Sequence, residues 1–406
     1  MNIRIVLVVG AALFLLSKTQ LQADEPRDFS DPDSNLIDIQ PIGIANRILL
    51  GSLDVLPSQP GQEAVFSTDE AGTDDSEMQF QGPAQNSIQS PWELGGWLAA
   101  GYHNKATPLS SVRGDGRSFN DVPGNLNVNQ LWFFVEKKLQ TDSAFDWGLR
   151  ADFVYGTDAQ KTQAFGGTGW DNSFDNGVYG WAIPQLYMDL RVGDIDVKLG
   201  HFFTLIGYEM IPATENFFYS RSLTMFNTEV FTHTGALASY EANDRLSLYG
   251  GWVAGWDTGF EVNDGGSMFL GGFSRDISDR TNFSYFTTIG DSGARGAQAY
   301  SHSMVLNVDI TDRMQYVAQS DLSSIQSTGA ETVGFNQYLF YDLNDRWRWG
   351  NRVEWWKSDG ISFSEYTTGL NYRPFEKLVV RSEIRYDRGP TTFDQTTYGL
   401  DAVLRF

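Results

Sequence analysis

DLNDRW, residues 342–347, has three earlier counterparts: DITDRM at 309–314, DISDRT at 276–281 and EANDRL at 241–246. The steps between them are 35, 33 and 33 residues. Each copy carries an acidic residue, a spacer, a small polar residue and then Asp-Arg. Recurrence at that interval marks one repeated supersecondary unit, and the polar centre of each copy marks a tight turn. RPFEK at 373–377, VGDID at 192–196 and LQTDSA at 139–144 extend the series of short turns. Longer Gly-, Ser- and Asn-rich connections lie between them, as at Gly290–Gln298, Ser323–Ala330 and Gly389–Gln395.

From Trp92 to the last residue the pattern between turns has period two. In KLVVRSEIRY, Leu378, Val380, Ser382, Ile384 and Tyr386 share one face, and Val379, Arg381, Glu383 and Arg385 the other. In WRWGNRVEWW, Trp347, Trp349, Val353 and Trp355 oppose Arg348, Arg352 and Glu354. Such alternation suits any half-solvated antiparallel sheet. Short turns alternating with long loops narrow it, because they give the two ends of an up-and-down sheet different surroundings, as in a transmembrane β-barrel. Seven short turns join fourteen strands, and one strand at each end brings the total to about sixteen, from 92–103 to 397–406. Both chain ends then lie on the short-turn side, which in such barrels faces the periplasm.

Composition agrees. Aromatics make up 14% of the 406 residues and Gly contributes 41, which favours strands and turns. There is no Cys, so disulfides and thiolate sites are excluded. A formal net charge of −22 argues against nucleic acid as a partner.

The N-terminus has a basic start, MNIR, an apolar run from Ile5 to Leu16, and Ala23 before Asp24. This reads as a signal peptide over 1–23, too short to span a bilayer, with a short N-terminal helix as the alternative. Residues 24–90 hold thirteen acidic side chains against Arg27 and Arg47, a net of −11 and so half of the chain's net −22. That acidic arm cannot bury enough apolar surface to order itself and is expected to be disordered. Its more apolar stretch, Ile37 to Leu56, could instead dock. The barrel is expected over 91–406.

The chain closes on YGLDAVLRF, with Tyr398, Leu400, Ala402, Leu404 and Phe406 on one face. This end resembles those of bacterial outer-membrane proteins, whose terminal aromatic is read by the barrel-assembly machinery. Between Pro184 and Gly235, KLGHFFTLIGYEM, PATENFFYSRS and THTG resemble the OmpL-like β-barrel porin family. The resemblance covers roughly 92–406, implies an outer-membrane pore, and supplies no catalytic residues.

A pore biases what passes through charged rings and a constriction. Alternation places Arg150, Asp152, Asp189, Arg191, Asp196, Lys198, Arg348, Arg352, Glu354, Arg381, Glu383, Arg385, Asp401 and Arg405 inward. Cations slightly outnumber anions there, which suggests basic ladders that orient anionic or dipolar solutes. The alternative is that these charges pair with one another and stiffen the wall. Arg381 and Arg385 are expected to stand in water. The connection from Gly207 to Thr232 holds Glu209, Glu215, Arg221 and Glu229 among Phe217, Phe218, Tyr219 and Phe226, and a loop of that length and apolarity folds against something. It is expected to turn inward and narrow the barrel; a packed outer loop or a lateral contact with a second copy of the chain are the alternatives.

Other signals fade. Asp171, Ser173 and Asp175 begin like a calcium loop, but the glycine and the bidentate Glu are misplaced. His103, His201, His233 and His302 are scattered, and the adjacent Ser and His of SHS point to opposite strand faces. No catalytic residue, metal or cofactor is expected. The function expected is a water-filled porin for small hydrophilic solutes, seated in outer-membrane lipid. The alternative is a closed or plugged barrel acting as adhesin, receptor or envelope tether.

Overall fold

The computed structural model describes residues 90–106, 119–140, 144–165, 171–260, 265–293, 298–390 and 394–406. The signal peptide and, but for Ser90, the acidic arm lie outside these residues. Sixteen strands form one closed antiparallel barrel in which each pairs with its sequence neighbours and the first pairs with the last. They are β1 (Trp92–His103), β2 (Leu126–Lys137), β3 (Phe145–Gly156), β4 (Gly180–Val192), β5 (Ile195–Phe203), β6 (Thr232–Asn243), β7 (Leu246–Val253), β8 (Ser267–Ser278), β9 (Thr281–Asp291), β10 (Gln298–Thr311), β11 (Met314–Ile325), β12 (Ala330–Asn344), β13 (Trp347–Ser358), β14 (Ile361–Phe375), β15 (Leu378–Arg388) and β16 (Gln395–Arg405).

The two faces of each strand separate as the alternation requires. On β15 Arg381, Glu383, Arg385 and Asp387 are buried inside while Ile384 and Tyr386 are exposed outside. Trp147, Phe153, Trp252, Phe335, Trp355, Tyr398 and Leu400 likewise face outward. This apolar, aromatic-rich outer face is what hydrocarbon and its interfaces select.

The Asp-Arg repeat encodes a turn. In each copy the small polar side chain accepts the N–H of the Arg two residues on: Asn243 from Arg245 at 3.1 Å, Ser278 from Arg280 at 3.3 Å, Thr311 from Arg313 at 3.2 Å and Asn344 from Arg346 at 3.0 Å. The N–H groups of Asp276, Asp309 and Asp342 then donate to the carbonyls of Arg245, Arg280 and Arg313 at 2.8–2.9 Å, tying each turn to the next. The register also slips by one residue just before each turn, a bulge that adds local twist. Side-chain ion pairs Arg245–Asp279 and Arg280–Asp312 lace neighbouring turns, but they stand in water and contribute little. The motif therefore recurs because the backbone of each turn needs it.

The alternation of short turns with long loops is less strict than the sequence suggests. β13 and β14 are joined at the loop end by Asp359 and Gly360 alone, with φ of 46° and 89°. Two consecutive positive φ values define the tight hairpin turn that Asp-Gly favours, so β13 and β14 run to a compact tip. The longest connection described throughout is 204–231, between β5 and β6, and it lies inside the barrel. Trp97, Trp132 and Val403 of the wall pack there with Ile211, Met225 and Phe226 of the connection.

Phe406 exchanges backbone hydrogen bonds with Gly96 at 2.9 and 3.2 Å, and its ring lies 5.5 Å from Phe133 across the β1 seam. A charge on the outer face near the interface costs only about 0–1 kcal/mol, too little to unfold a barrel. Phe406→Lys is therefore expected to leave export intact while sharply lowering the heat-modifiable, membrane-assembled form on gels, because assembly and not stability suffers. Normal membrane levels of the variant would show that the terminal aromatic is incidental.

Candidate functional site: the lumen and the segment inside it

The neck of the inserted segment is closed by a hydrogen bond from Thr204 N to Phe231 O at 2.9 Å. Gly207 follows with φ of 102°, and a Cβ there would meet the Glu229 carboxylate at 2.2 Å; only glycine allows the two ends of the segment to approach in this way. Beyond it, Asn216 folds the chain back on itself, accepting from Met210 N at 2.8 Å and donating to Pro212 O at 2.8 Å. A short helix, α1 (Leu223–Asn227), is capped by Ser222 Oγ, which accepts from Met225 N at 3.1 Å.

Polar backbone groups buried in this way need partners, and the inward charges supply them by sign. Glu383 accepts from Tyr219 N at 2.9 Å and Ser220 N at 3.1 Å. Glu354 accepts from Leu223 N at 2.7 Å and from Thr224 N and Oγ1 at 2.6 Å. The arginines take carbonyls: Arg381 donates to Ala213 O at 2.8 Å and Asn216 O at 2.7 Å, Arg352 to Ser220 O at 3.0 Å, Arg385 to Arg221 O, and Arg405 to Thr214 O at 3.0 Å. Gln130 on β2 does both, with Ile211 O at 2.6 Å and Ala213 N at 2.9 Å. Inward glycines make the notches. A Cβ on Gly350 would strike Phe217, one on Gly101 would strike Tyr219, and one on Gly334 would strike Thr224.

The other expected lining charges are paired. Arg150 bonds Glu136 and Asp152 at 3.0 and 2.9 Å, Arg191 bonds Asp196 at 2.5 Å, and Lys198 bonds Asp189 at 3.0 Å. Arg381 pairs with Asp401 at 2.5 Å, Arg385 with Asp387 at 2.8 Å, and Arg352 with Glu209 and Glu365 at 2.6 and 2.8 Å. Arg381 and Arg385 do not stand in water: they are 2% and 1% exposed, because the segment lies over them. Of the segment's charges, Glu209 meets the wall at Arg352. Arg221 folds inward to the carbonyls of Met210 and Ile211 at 2.8 and 2.9 Å. Burial, then the charge of Arg381, brings Arg221 down to about 10. Glu215 stays half-exposed, 3.6 Å from Arg405. Burial, then the charge of Asp321, pushes the Glu229 carboxyl well above the usual range.

Nearer the turn end the lumen changes character. The first acidic residue of each repeat, Glu241, Asp276, Asp309 and Asp342, faces inward along β6–β12, whereas Arg348, Arg373 and Arg405 face inward along β13–β16, as their registers require. Arg373, which alternation did not single out, is exposed there beside Arg348 and Arg405. No group of three or more His, Cys, Asp or Glu among the described residues could hold a metal, and the ring nitrogens of His201 and His233 bond uncharged groups, Thr234 for the first and Gly255 and Thr204 for the second.

A family model described as "Putative beta-barrel porin-2, OmpL-like" matches residues 91–406. No curated protein matches the chain. Among solved structures, the outer membrane channel DcaP of Acinetobacter baumannii is similar at 11% identity and a TM-score of 0.55, over 78% of this chain and 97% of that one. The anion-selective porin from Comamonas acidovorans is similar at 9% identity and 0.53, over 78% and 99%. OmpT of Vibrio cholerae lacking loop L8 is similar at 10% and 0.50, over 78% and 99%. Identities this low establish a shared fold alone.

Removing the Arg352 guanidinium would strand the buried carboxylates of Glu209 and Glu365. Arg352→Gln is expected to cost about 3–5 kcal/mol, the range for breaking a buried ion pair from one side, seen as a lower unfolding midpoint and as protease cleavage within 207–229. Arg405→Gln, at the exposed mouth, should do neither; equal behaviour of the two variants would show that the buried network does not hold the segment.

Proposed function

The chain belongs to the OmpL-like β-barrel porin family, an outer-membrane channel by fold and kinship, and from that premise we propose that it passes small hydrophilic solutes by passive diffusion. The observation that carries the reading is the one-sidedness of the lumen. Outside its neck, where Thr204 bonds His233 and Phe231 bonds Asp257, the segment's hydrogen bonds fall on β2 and on the arc β11–β16, while Leu205, Ile206 and Val230 near its two ends cluster with Met268, Leu270 and Phe286 of β8 and β9. Just above the inward Asp276 and Asp309 of the turn end, β8–β10 carry short neutral side chains: Ser274, Asn282, Ser284 and Asn307. Both polar atoms of the Asn307 amide are buried without a hydrogen-bond partner in the protein, a polar site of the kind that enclosed water fills. The segment is then an eccentric constriction, with solutes passing between its middle, 208–222, and the turn-end half of β8–β10.

On this reading residues 1–23 direct export, 24–90 form a periplasmic arm, the barrel-assembly machinery reads Phe406, and catalysis plays no part. The second reading, a closed barrel serving as adhesin, receptor or tether, draws on the loop end, where Phe119 packs edge-on to Phe226 at 5.3 Å over the segment.

Planar-bilayer recording of the refolded full chain separates the two: stepwise conductance supports diffusion, and a silent bilayer supports the closed barrel. Selectivity should reside at the mouth and not in the buried ladder. Arg348→Gln, Arg373→Gln and Arg405→Gln combined are expected to shift the reversal potential in a salt gradient toward cations by several millivolts, an effect that fades at high salt. An unshifted potential in a conducting variant would remove these arginines from the permeation path.

A further inference from the structure

Six buried carboxylates on the β11–β16 side of the lumen are each neutralised in an evident way. Glu209, Glu365, Asp387 and Asp401 take arginines, and Glu354 and Glu383 each take two backbone N–H groups. Glu229 and Asp321 have neither. Glu229 stands at the end of the inserted segment, Asp321 and Gln319 point inward from β11, and Ser303 on β10 lies opposite Asp321 in the register. None of the four is more than 1% exposed. The Gln319 amide nitrogen bridges the carboxylates, donating to Glu229 Oε1 at 2.6 Å and to Asp321 Oδ2 at 2.5 Å. Glu229 Oε2, Asp321 Oδ1, Gln319 Oε1 and Ser303 Oγ have no hydrogen-bond partner, although the Ser303 hydroxyl is close enough to act on Asp321. The other charges acting on the pair are those of Glu209 and Glu354, of the same sign.

We propose that Glu229, Asp321, Gln319 and Ser303 form a site for one hard divalent cation of the calcium type, which fastens the end of the inserted segment to β10 and β11. Two uncompensated carboxylates at this depth are costly. One proton does not remove the cost, because a hydroxyl at Glu229 Oε2 has no acceptor and Asp321 keeps its charge. A cation relieves both. Half a turn of the Gln319 amide puts its oxygen between the carboxylates, and with the Ser303 hydroxyl the site then offers carboxylate, amide and hydroxyl oxygens. That all-oxygen set, completed by water, is the kind calcium takes at 2.3–2.6 Å. It lacks the nitrogen and sulfur ligands that zinc prefers. The inference concerns the anchoring of the segment and stands whether or not the barrel conducts.

Terbium, a luminescent stand-in for calcium, tests it on the full chain folded in detergent. The buried Tyr338, whose phenol acts on Glu229, is placed to sensitise emission. The expected result is saturable emission that calcium displaces, together with a calcium-dependent rise in the unfolding temperature. Asp321→Asn and Glu229→Gln should each weaken terbium binding at least tenfold and abolish the calcium-dependent rise. Ser303→Ala, which keeps both charges and folds without new strain, should weaken binding severalfold. A wild-type chain with neither emission nor a calcium effect overturns the proposal. So does emission unchanged in the variants, and so does stabilisation of Asp321→Asn or Glu229→Gln regardless of calcium, which would identify a shared proton instead.

Discussion

A polypeptide segment placed inside a barrel must find a partner for every backbone N–H and C=O that it removes from water, and the structure is organised around that requirement. Helices and strands satisfy their own peptide groups, but of residues 208–222 only Ala213–Glu215 form a single 3-10 turn. The wall satisfies them from outside, with carboxylates on N–H groups and guanidinium groups on carbonyls, so the inward side chains alternate in sign along the segment's path: Glu383 beside Arg381 and Arg385, and Glu354 beside Arg352. The inward glycines follow from the same constraint, since backbone-to-wall hydrogen bonds demand close approach.

The architecture was legible because two independent signals agreed. Period-two alternation separated the faces, and the Asp-Arg turns fixed where strands begin and end, so strand number, the closed barrel and most boundaries could be read directly. The misreading at β13–β14 has a definite cause. Asp359-Gly360 is a strong hairpin signal, but it lies where the long-loop pattern leads one to look for a loop, and the global pattern overrode the local chemistry.

The lumen was legible in part. Alternation put Arg352, Glu354, Arg381, Glu383 and Arg385 on one strand face, and that face is buried in the structure. It could not tell that they meet peptide groups and not water, because that depends on where a connection more than a hundred residues away in sequence folds back. The segment's aromatic content signalled that it packs against something, and Gly334 and Gly350 on inward positions were an available hint of where. Gln130, which fixes both faces of the chain at 211–213, gave no signal at all, since a neutral amide on a strand is unremarkable until its partners are known. Arg373 was passed over for the opposite reason: it sits within the RPFEK stretch that reads as a turn, while β14 in fact continues through it to Phe375.

The claim that wall charges hold the segment by its peptide groups is tested most directly by residue-resolved hydrogen exchange of the folded barrel. The account predicts that the amides of Tyr219, Ser220, Leu223 and Thr224 exchange as slowly as those of the β13 and β15 ladders, and that Glu383→Gln accelerates the first pair and Glu354→Gln the second. Exchange of all four at the rate of a solvated loop in the wild-type chain would contradict it.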